Sequence, residues 1–401
     1  MGDTNLFSLL YADDTILLAE SVKEMQQALN GLSSYCKKKK LVININKTKV
    51  IVFSRGKIRT KPLLYLEGKL LEVAYDYVYL GIKVNFNGKF KKAIKHLYDT
   101  ASRAMFVVLK KGSTLQLDFD TTLQLFDSTV VPILLYGSEV WGFTIIDLVE
   151  RLHLRFLKLL LKIRKSTPNC MVYGETGRFP LDIVIKCRLI SYWYKCINGD
   201  KQKWSFHMYT IMHTLCNDNI MTCKWITFVQ HTFNSLGLNY IWNSQGAGIS
   251  LQWLKGIIKQ TCQDQYRQKW SADVDLTSKC LSYRIFKHEL CFERYLIDLP
   301  ISLRIPMIKF RCRNNKLPIE LGSYFNIPRE TRCCTKCNLD VLGDEFHVLF
   351  VCPFFHKERK LFLEPEYLHV NSVLKLNKLL NTKGETLVNV SRLIKHIMKN
   401  L

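Results

Sequence analysis

The sequence of 401 residues lacks a hydrophobic run long enough to span a bilayer, because charged residues interrupt every candidate stretch. It also lacks a basic leader, since residues 1–5 carry no Lys or Arg and the apolar stretch behind them ends at Asp13. These absences argue against a membrane protein and against a secretory signal. There is no internal repeat, and the most biased stretch is the short lysine run at residues 37–40.

Acidic residues are scarce: the chain has 58 Lys and Arg but only 34 Asp and Glu, which gives a net charge of +24. This excess indicates a polyanionic partner, with RNA or DNA favoured over an acidic membrane surface. The 14 cysteines are scattered through a long chain without a signal, which favours reduced thiols in an intracellular protein of the nucleus or cytoplasm. With 48% hydrophobic residues, the chain has the composition of a folded protein and not of a disordered one.

The residue pattern predicts an α+β fold in five segments. Short apolar runs separated by turn residues dominate residues 1–90, and helical periodicity takes over behind them. We expect helices over 91–200, a less regular helical connector over 201–302, a compact basic unit over 303–370 and a helical tail over 371–401.

An adjacent pair of carboxylates, Asp13 and Asp14, lies between two apolar runs at residues 6–10 and 15–19. The runs predict a hairpin with the pair at its tip. Two adjacent carboxylates repel each other unless cations neutralise them, and two-metal phosphoryl transfer uses such a pair. Alternatively, Asp-Asp is common in turns, where it bonds its own backbone. The pair is therefore a candidate Mg²⁺ site with an ordinary structural alternative.

Further elements are predicted in the same segment. Ser21 and Glu24 fit a capping box at the start of a helix. Residues 41–45 form an apolar run of strand length, and residues 67–68 (EG) are a predicted hairpin turn.

Four motifs follow one another in the first part of the chain: FSLLYADDT at 7–15, LVININKTK at 41–49, YLG at 79–81 and VPILLYGSEVWG at 131–142. In this order and spacing they resemble the reverse transcriptase of non-LTR retrotransposons. The resemblance implies a polymerase palm, a helical thumb behind it, and RNA-directed DNA synthesis by the parent enzyme. It also implies that Asp13 binds the catalytic Mg²⁺ ions, with Asp14 as its weaker partner.

The resemblance assigns roles to residues of the next two motifs. A lysine of the second motif would help to protonate the departing pyrophosphate, and either Lys47 or Lys49 could take that role. The alternative for Lys47 is a solvated lysine at a strand end. Tyr79 and Gly81 would lie in the hairpin that holds the primer end.

The chain also departs from the family. The fingers and an earlier palm strand with a further metal-binding carboxylate normally lie upstream of the catalytic hairpin, where this sequence has only residues 1–10. Its one acid there, Asp3, is too close to Asp13 to lie on a separate strand. We therefore expect the carboxy-terminal part of a reverse transcriptase, which binds Mg²⁺ weakly, exposes an apolar hairpin edge and does not polymerise alone.

A metal-ligand pattern lies near the end of the basic unit. Cys334, Cys337, His347 and Cys352 have a spacing that closes a tetrahedral Cys₃His site for structural Zn²⁺. The adjacent Cys333 leaves the register of the first ligand open. The alternative is a set of unconnected thiols and a surface histidine. Non-LTR elements carry a similar cysteine–histidine motif, which agrees with the zinc interpretation.

Two basic stretches are candidates for contact with nucleic acid, a helix around residues 151–165 and the segment that leads into the zinc unit. The residues selected from them are Arg151, Arg155, Lys158, Lys162, Arg311 and Arg313. A solvated basic face is the alternative for each one, and a membrane-surface helix is disfavoured by the scarcity of aromatic anchors. We expect RNA and DNA binding. The competing hypothesis is a non-catalytic, zinc-dependent structural module.

Overall fold

The computed structural model describes residues 7–54, 60–144, 146–369 and 372–401. It divides into two compact units, Met1–His96 and Leu97–Leu401, of mixed helix and strand. The composition change near residue 90 lies close to this division, whereas the predicted boundaries at 200, 302 and 370 fall inside the second unit and remain predictions. No helix in the described ranges is long and apolar enough to cross a membrane.

The first unit combines one long helix with short strand pairs. In chain order its elements are β1 (Ser8–Tyr11), β2 (Asp14–Leu17), α1 (Val22–Lys39), β3 (Lys49–Val50), β4 (Tyr65–Leu66), β5 (Lys69–Leu70), β6 (Glu72–Val73), β7 (Asp76–Tyr79) and β8 (Ile82–Asn85). β1–β2, β4–β5 and β7–β8 are antiparallel pairs, and β3 pairs with β6 in parallel. α2 (Lys91–Thr114) begins here and continues into the second unit.

Local signals explain the bounds of α1. The Ser21 hydroxyl accepts the Glu24 backbone N–H at 3.2 Å, and the Glu24 carboxylate accepts the Glu20 N–H at 3.1 Å, so the predicted cap forms with its second bond one residue early. The helix ends where Lys40 adopts φ +55°. Its inner face contributes Leu29 to a small core completed by Leu64, Leu66 and Leu71.

The strand predicted over 41–45 is wrong, because the chain turns there. The Asn44 carbonyl accepts the N–H groups of Lys47 and Thr48, each at 3.1 Å. The Asn44 side chain also accepts the Lys47 N–H at 3.2 Å, which competes with strand pairing despite the β-branched neighbours. Val42 is consequently 97% exposed. The hairpin turn at 67–68 is confirmed, with φ values of +50° and +77°.

The second unit is helical. Its helices are α3 (Phe119–Leu125), α4 (Val131–Leu134), α5 (Ser138–Trp141), α6 (Asp147–Leu160), α7 (Asn169–Thr176), α8 (Asp182–Asn198), α9 (Trp204–Asn217), α10 (Lys224–Ser235), α11 (Asn239–Asn243), α12 (Leu251–Leu276), α13 (Tyr283–Phe286), α14 (Tyr295–Asp298), α15 (Ile301–Arg311), α16 (Pro318–Tyr324), α17 (His356–Phe362), α18 (Glu366–His369), α19 (Val373–Leu380) and α20 (Gly384–Lys399). α8 packs against α5 and α12, and α15 packs against α20. Wide π-helical turns span Phe126–Val130 and His347–Val351.

A buried ion pair joins distant segments of this unit. The side chains of Arg311 and Glu175 are both fully buried, and two guanidinium N–H groups reach the carboxylate at 2.9 and 3.2 Å. Arg311 also contacts a Glu293 oxygen at 3.2 Å and donates to the Leu380 carbonyl at 2.8 Å. Burial alone would raise the pKa of Glu175, but the Arg311 charge and hydrogen bonds outweigh it and hold that pKa below its usual value. Four segments far apart in the chain are thus joined at one guanidinium.

Arg311→Met is expected to destabilise the protein by about 3–5 kcal/mol, because it leaves the Glu175 carboxylate buried without its cation. Chemical denaturation followed by circular dichroism measures the loss. Lys309→Met on the same helix is the matched control, since Lys309 is partly exposed and forms no ion pair among the described residues, and it should change stability by less than about 0.5 kcal/mol. Equal stability of the two variants would contradict the role given to Arg311.

Candidate metal centre and nucleic-acid interface

The Asp13-Asp14 pair lies at the tip of the β1–β2 hairpin, as predicted. Tyr11 pairs with Asp14, so Ala12 and Asp13 form a two-residue turn. Ala12 has φ +51°, a conformation that costs a residue with a Cβ roughly 1–2 kcal/mol. Asp13 lies in the turn and Asp14 in the last pair of the ladder, and both aspartates are exposed.

The hairpin does not provide a closed metal site in this unit. Among the described residues, the only group of three or more close metal-ligating side chains lies elsewhere, so no third carboxylate, thiol or imidazole joins Asp13 and Asp14. Apolar side chains at β1 and just before it are exposed to solvent, with Phe7 69% and Leu10 72% exposed. The predicted need for a facing palm strand remains a prediction.

The two candidate lysines of the second motif differ in their surroundings. The Lys49 ammonium contacts a Glu72 carboxylate oxygen at 2.6 Å across the β3–β6 ladder. The Lys49 hydrogen bond lowers the pKa of Glu72. Lys47 follows the Asn44 turn and is exposed. Lys47 is thus exposed and Lys49 is paired with Glu72, and the choice between the two lysines remains a prediction.

Tyr79 and Gly81 frame the turn of the β7–β8 hairpin. Tyr79 pairs with Ile82, and the turn residues Leu80 and Gly81 have φ values of +46° and +80°. Glycine adopts a positive φ without strain, so the turn alone is a sufficient structural reason for Gly81 in the motif. The role of Tyr79 and Gly81 at a primer end remains a prediction.

The four predicted zinc ligands lie together. The Sγ atoms of Cys334, Cys337 and Cys352 and a ring nitrogen of His347 all lie within 4.8 Å of one another. Cys333 is outside this group, and its Sγ lies 3.9 Å from the Glu330 carbonyl oxygen. Of the two candidates for the first ligand, Cys333 and Cys334, the geometry favours Cys334.

The separations fit a tetrahedral zinc ion. Two sulfur atoms bound at ~2.3 Å lie about 3.8 Å apart, and a bound sulfur and nitrogen lie about 3.6 Å apart. The Cys334 and Cys352 Sγ atoms are 3.9 Å apart, and the Cys337 Sγ lies 3.4 Å from His347 Nε2. The donor set and the edge lengths therefore suit zinc, with Nε2 as the histidine ligand.

Two local features bring these ligands together. The Cys334 N–H donates to the Val341 carbonyl at 2.8 Å, which closes a short loop that contains Cys337. On the other side, the Cys352 N–H donates to the His347 carbonyl at 2.8 Å across the π-helical turn. Residues five apart on an α-helix are rotated by about 140°, so the wider turn is what directs both side chains to one point.

Burial sets the electrostatics of the cluster. Burial, together with the neighbouring Cys334 and Cys337, raises the pKa of Cys352 to about 12, and burial lowers the pKa of His347. The Asp344 carboxylate accepts the His347 backbone N–H at 2.9 Å and so fixes the start of the turn. Sequence reasoning missed Asp344, although an Asp three residues before a helical His is a recognisable cap.

Of the residues predicted to contact nucleic acid, three are exposed. Arg151 and Arg155 lie on the outer face of α6, and Lys162 follows the helix with φ +55°. The Arg155 guanidinium stacks over the Phe106 ring at 4.9 Å, which holds it at the surface. These three positions remain candidates for phosphate contact.

The other three predictions are corrected by burial and pairing. Arg311 is fully buried in its ion pair. Arg313 is 7% exposed and bonded to Glu320 and to the Lys279 carbonyl. The Lys158 ammonium donates to the Lys165 carbonyl, the Thr167 carbonyl and Asn169 Oδ1 at 2.8, 2.8 and 2.9 Å, so its three N–H donors are used. None of these cations is free to bind a phosphate.

Comparison with known proteins gives three relatives. A transposon-derived protein of Caenorhabditis elegans is 32% identical over 143 residues, 35% of this chain and 50% of that protein. The RNA-directed DNA polymerase from the mobile element jockey of Drosophila funebris is 25% identical over 185 residues, 44% of this chain and 19% of that protein. The polymerase from transposon BS of Drosophila melanogaster is 29% identical over 144 residues, 33% and 16% of the two chains. No protein-family model matches the chain.

The chain therefore spans half or less of the length of these relatives. Part of it is homologous to transposon-encoded RNA-directed DNA polymerases, which is the class that the four motifs indicated. The resemblance to reverse transcriptases of non-LTR elements is confirmed.

The purified, reduced chain is expected to contain one zinc ion, because the four ligand atoms close a tetrahedral site. Cys337→Ser and His347→Ala should each abolish stoichiometric zinc and lower the melting temperature. Cys333→Ser is the matched control: it removes an adjacent thiol that lies outside the cluster, and it should keep one zinc. Elemental analysis by mass spectrometry reads out all four proteins, and a folded, zinc-free wild type would refute the assignment.

Proposed function

We propose that this chain is a nucleic-acid-binding part of a non-LTR reverse transcriptase, held together at one end by a structural zinc ion. The observation that carries the proposal is the coincidence of polymerase homology with a Cys₃His cluster of zinc-like edge lengths in a chain with a net charge of +24. A zinc ion would cross-link the segment 334–352. Its four protein ligands would leave no open coordination position for catalysis.

Binding to RNA and DNA is supported by the distribution of the charge. Lys and Arg exceed Asp and Glu by 24, and several cations of the second unit, including Arg151 and Lys162, are exposed. Phosphate contacts of this kind give affinity without sequence preference. Exposed aromatics such as Tyr324, 79% exposed, could stack on unpaired bases.

Polymerisation by this chain alone is opposed by the state of the catalytic hairpin. Asp13 and Asp14 are exposed, and no third ligand lies near them in the described residues. Two-metal phosphoryl transfer requires carboxylates that hold two ions about 4 Å apart. We therefore assign the synthetic activity to an assembly that supplies the facing strand, and binding to this chain.

The competing function is a zinc-dependent structural or interaction module without nucleic-acid affinity. The observation in its favour is that Arg311, Arg313 and Lys158 serve internal contacts. The two functions differ in the salt dependence of binding.

Affinity for RNA and DNA oligonucleotides is expected to fall steeply with salt, with a log–log slope of several units, because each neutralised phosphate of a single strand adds ~0.7 to the slope. Fluorescence anisotropy between 50 and 200 mM NaCl measures it. An affinity that stays constant over this range would favour the structural module.

The 401-residue chain is expected not to extend a primer on an RNA template with Mg²⁺ or Mn²⁺. Addition of a polymerase segment with fingers and a facing palm strand, in cis or as a separate chain, should give templated synthesis. In the resulting enzyme Asp13→Ala should abolish extension and Asp14→Ala should reduce it, since Asp13 forms the tip of the turn. Templated extension by the chain alone, lost on Asp13→Ala, would overturn this assignment.

A further inference from the structure

A basic cleft lies in the second unit at a place that the polymerase motifs do not include. It has a volume of ≈ 510 Å³, in the range of ligand-binding pockets. Two segments line most of it: the turn behind α6, with Lys162 and Arg164, and the end of α15 with the loop that follows, with Lys309, Asn315 and Lys316.

The charge of the cleft is of one sign. Four cationic side chains line it and no acidic residue does. Lys162, Arg164 and Lys316 are exposed, and none of the four cations forms an ion pair among the described residues. Like charges held together without counter-charges raise the local concentration of anions.

A buried amide gives the second, independent sign of a ligand. The Asn315 side chain is 1% exposed, and its Oδ1 accepts the Leu317 N–H at 3.1 Å. Its Nδ2 is buried and has no hydrogen-bond partner in the described structure, although the residue lines the cleft. A buried donor of this kind requires an acceptor, which an anionic oxygen in the cleft would supply.

The walls are fixed in place by the cations that were wrongly predicted to contact nucleic acid. Lys158 binds the carbonyls of Lys165 and Thr167 at 2.8 Å each and so holds one wall. Arg313, with φ +50°, bonds Glu320 and holds the other. Asn314 Nδ2 joins the two walls by donating to Thr167 Oγ1 at 3.2 Å. The cleft is therefore pre-organised, which lowers the entropic cost of binding.

An aromatic side chain continues this surface. A smaller cavity shares Arg164 and Asn314 with the cleft and is lined at its other side by Tyr324. Tyr324 is 79% exposed, and its ring lies edge-on to that of Phe325, with centroids 5.2 Å apart. Exposed rings next to phosphate-binding cations are the combination used by proteins that bind single strands.

We infer that the cleft binds the backbone phosphates of single-stranded nucleic acid, with Lys162, Arg164, Lys309 and Lys316 as charge partners, Asn315 Nδ2 as a direct donor, and Tyr324 as a platform for an adjacent base. The inference rests on the proposed nucleic-acid binding and names its site. It differs from the catalytic hairpin and from the zinc cluster, since it shares no residue with either.

The test uses the zinc-loaded 401-residue chain, labelled 15-nucleotide oligo(dT) and oligo(U), and a 15-base-pair duplex, in anisotropy titrations from 50 to 200 mM NaCl. The double variant Lys309→Gln, Lys316→Gln removes two phosphate contacts. Its log–log salt slope should fall by about 1.4, and its single-strand affinity at 100 mM salt should fall roughly 25-fold. The control Lys255→Gln, Lys259→Gln removes the same charge from exposed positions of α12 and should bind within about twofold of wild type.

Two single variants test the other contacts. Asn315→Asp keeps the acceptor for the Leu317 N–H but replaces the buried donor with a carboxylate oxygen, so it should weaken binding as strongly as the double variant. Tyr324→Ala should weaken single-strand binding about five- to hundredfold and duplex binding by less than twofold. Its control is Tyr240→Ala, which removes a 54% exposed ring on α11. Melting temperatures confirm that each variant is folded.

The outcomes separate this inference from the proposed function. If the wild type binds no oligonucleotide at low salt, both fail. If it binds with a steep salt slope and the cleft variants match the α12 control, the cleft is overturned and nucleic-acid binding elsewhere on the chain stands. Equal loss of single-strand and duplex binding in Tyr324→Ala would overturn the preference for single strands.

Discussion

The Arg311 guanidinium lies in the interior of the second unit, and four segments that are distant in sequence meet on it. Arg311 itself ends α15, Glu175 lies in the last turn of α7, Glu293 precedes α14, and the Leu380 carbonyl ends α19. A buried charge of this kind is tolerated only when its partners satisfy it, so each segment depends on the others being folded. These contacts join parts of the compact unit from Leu97 onwards, and its division into a thumb-like part, a connector, a basic part and a tail remains a prediction.

The same constraint explains why net charge is a poor guide to which cations of this protein are accessible. Arg311, Arg313 and Lys158 are as basic in sequence as Lys309, Lys316 and Lys162, yet the first three are engaged in contacts inside the fold. These three cations bind backbone carbonyls and acidic side chains and hold them in place. That fixation is what holds the remaining cations around an open cleft without counter-charges.

Sequence reasoning succeeded where the physical cause is local. The β1–β2 turn, the turn at 67–68 and the Cys₃His spacing each depend on residues within about twenty positions, so the pattern carries the answer. It failed at 41–45, where the Asn44 side chain competes with strand pairing, and at Arg311, whose partner Glu175 is 136 residues away. Hydrophobic periodicity is a local pattern, so it cannot predict an ion pair over that distance. It also cannot predict the π-helical turn that directs His347.

The zinc cluster and the basic cleft are connected through two buried charged residues, Glu345 and Arg313. Glu345, two residues before His347, accepts the Ser282 hydroxyl at 2.8 Å, and one of its carboxylate oxygens lies 3.7 Å from Arg313 Nε. Arg313 in turn holds the loop that carries Asn315 and Lys316. An ion that binds only the folded cluster stabilises the fold by mass action, and that stabilisation extends to every segment that must be in place for the cluster to form. The metal centre would thus support nucleic-acid binding by fixing the loop behind the cleft, without contacting the ligand.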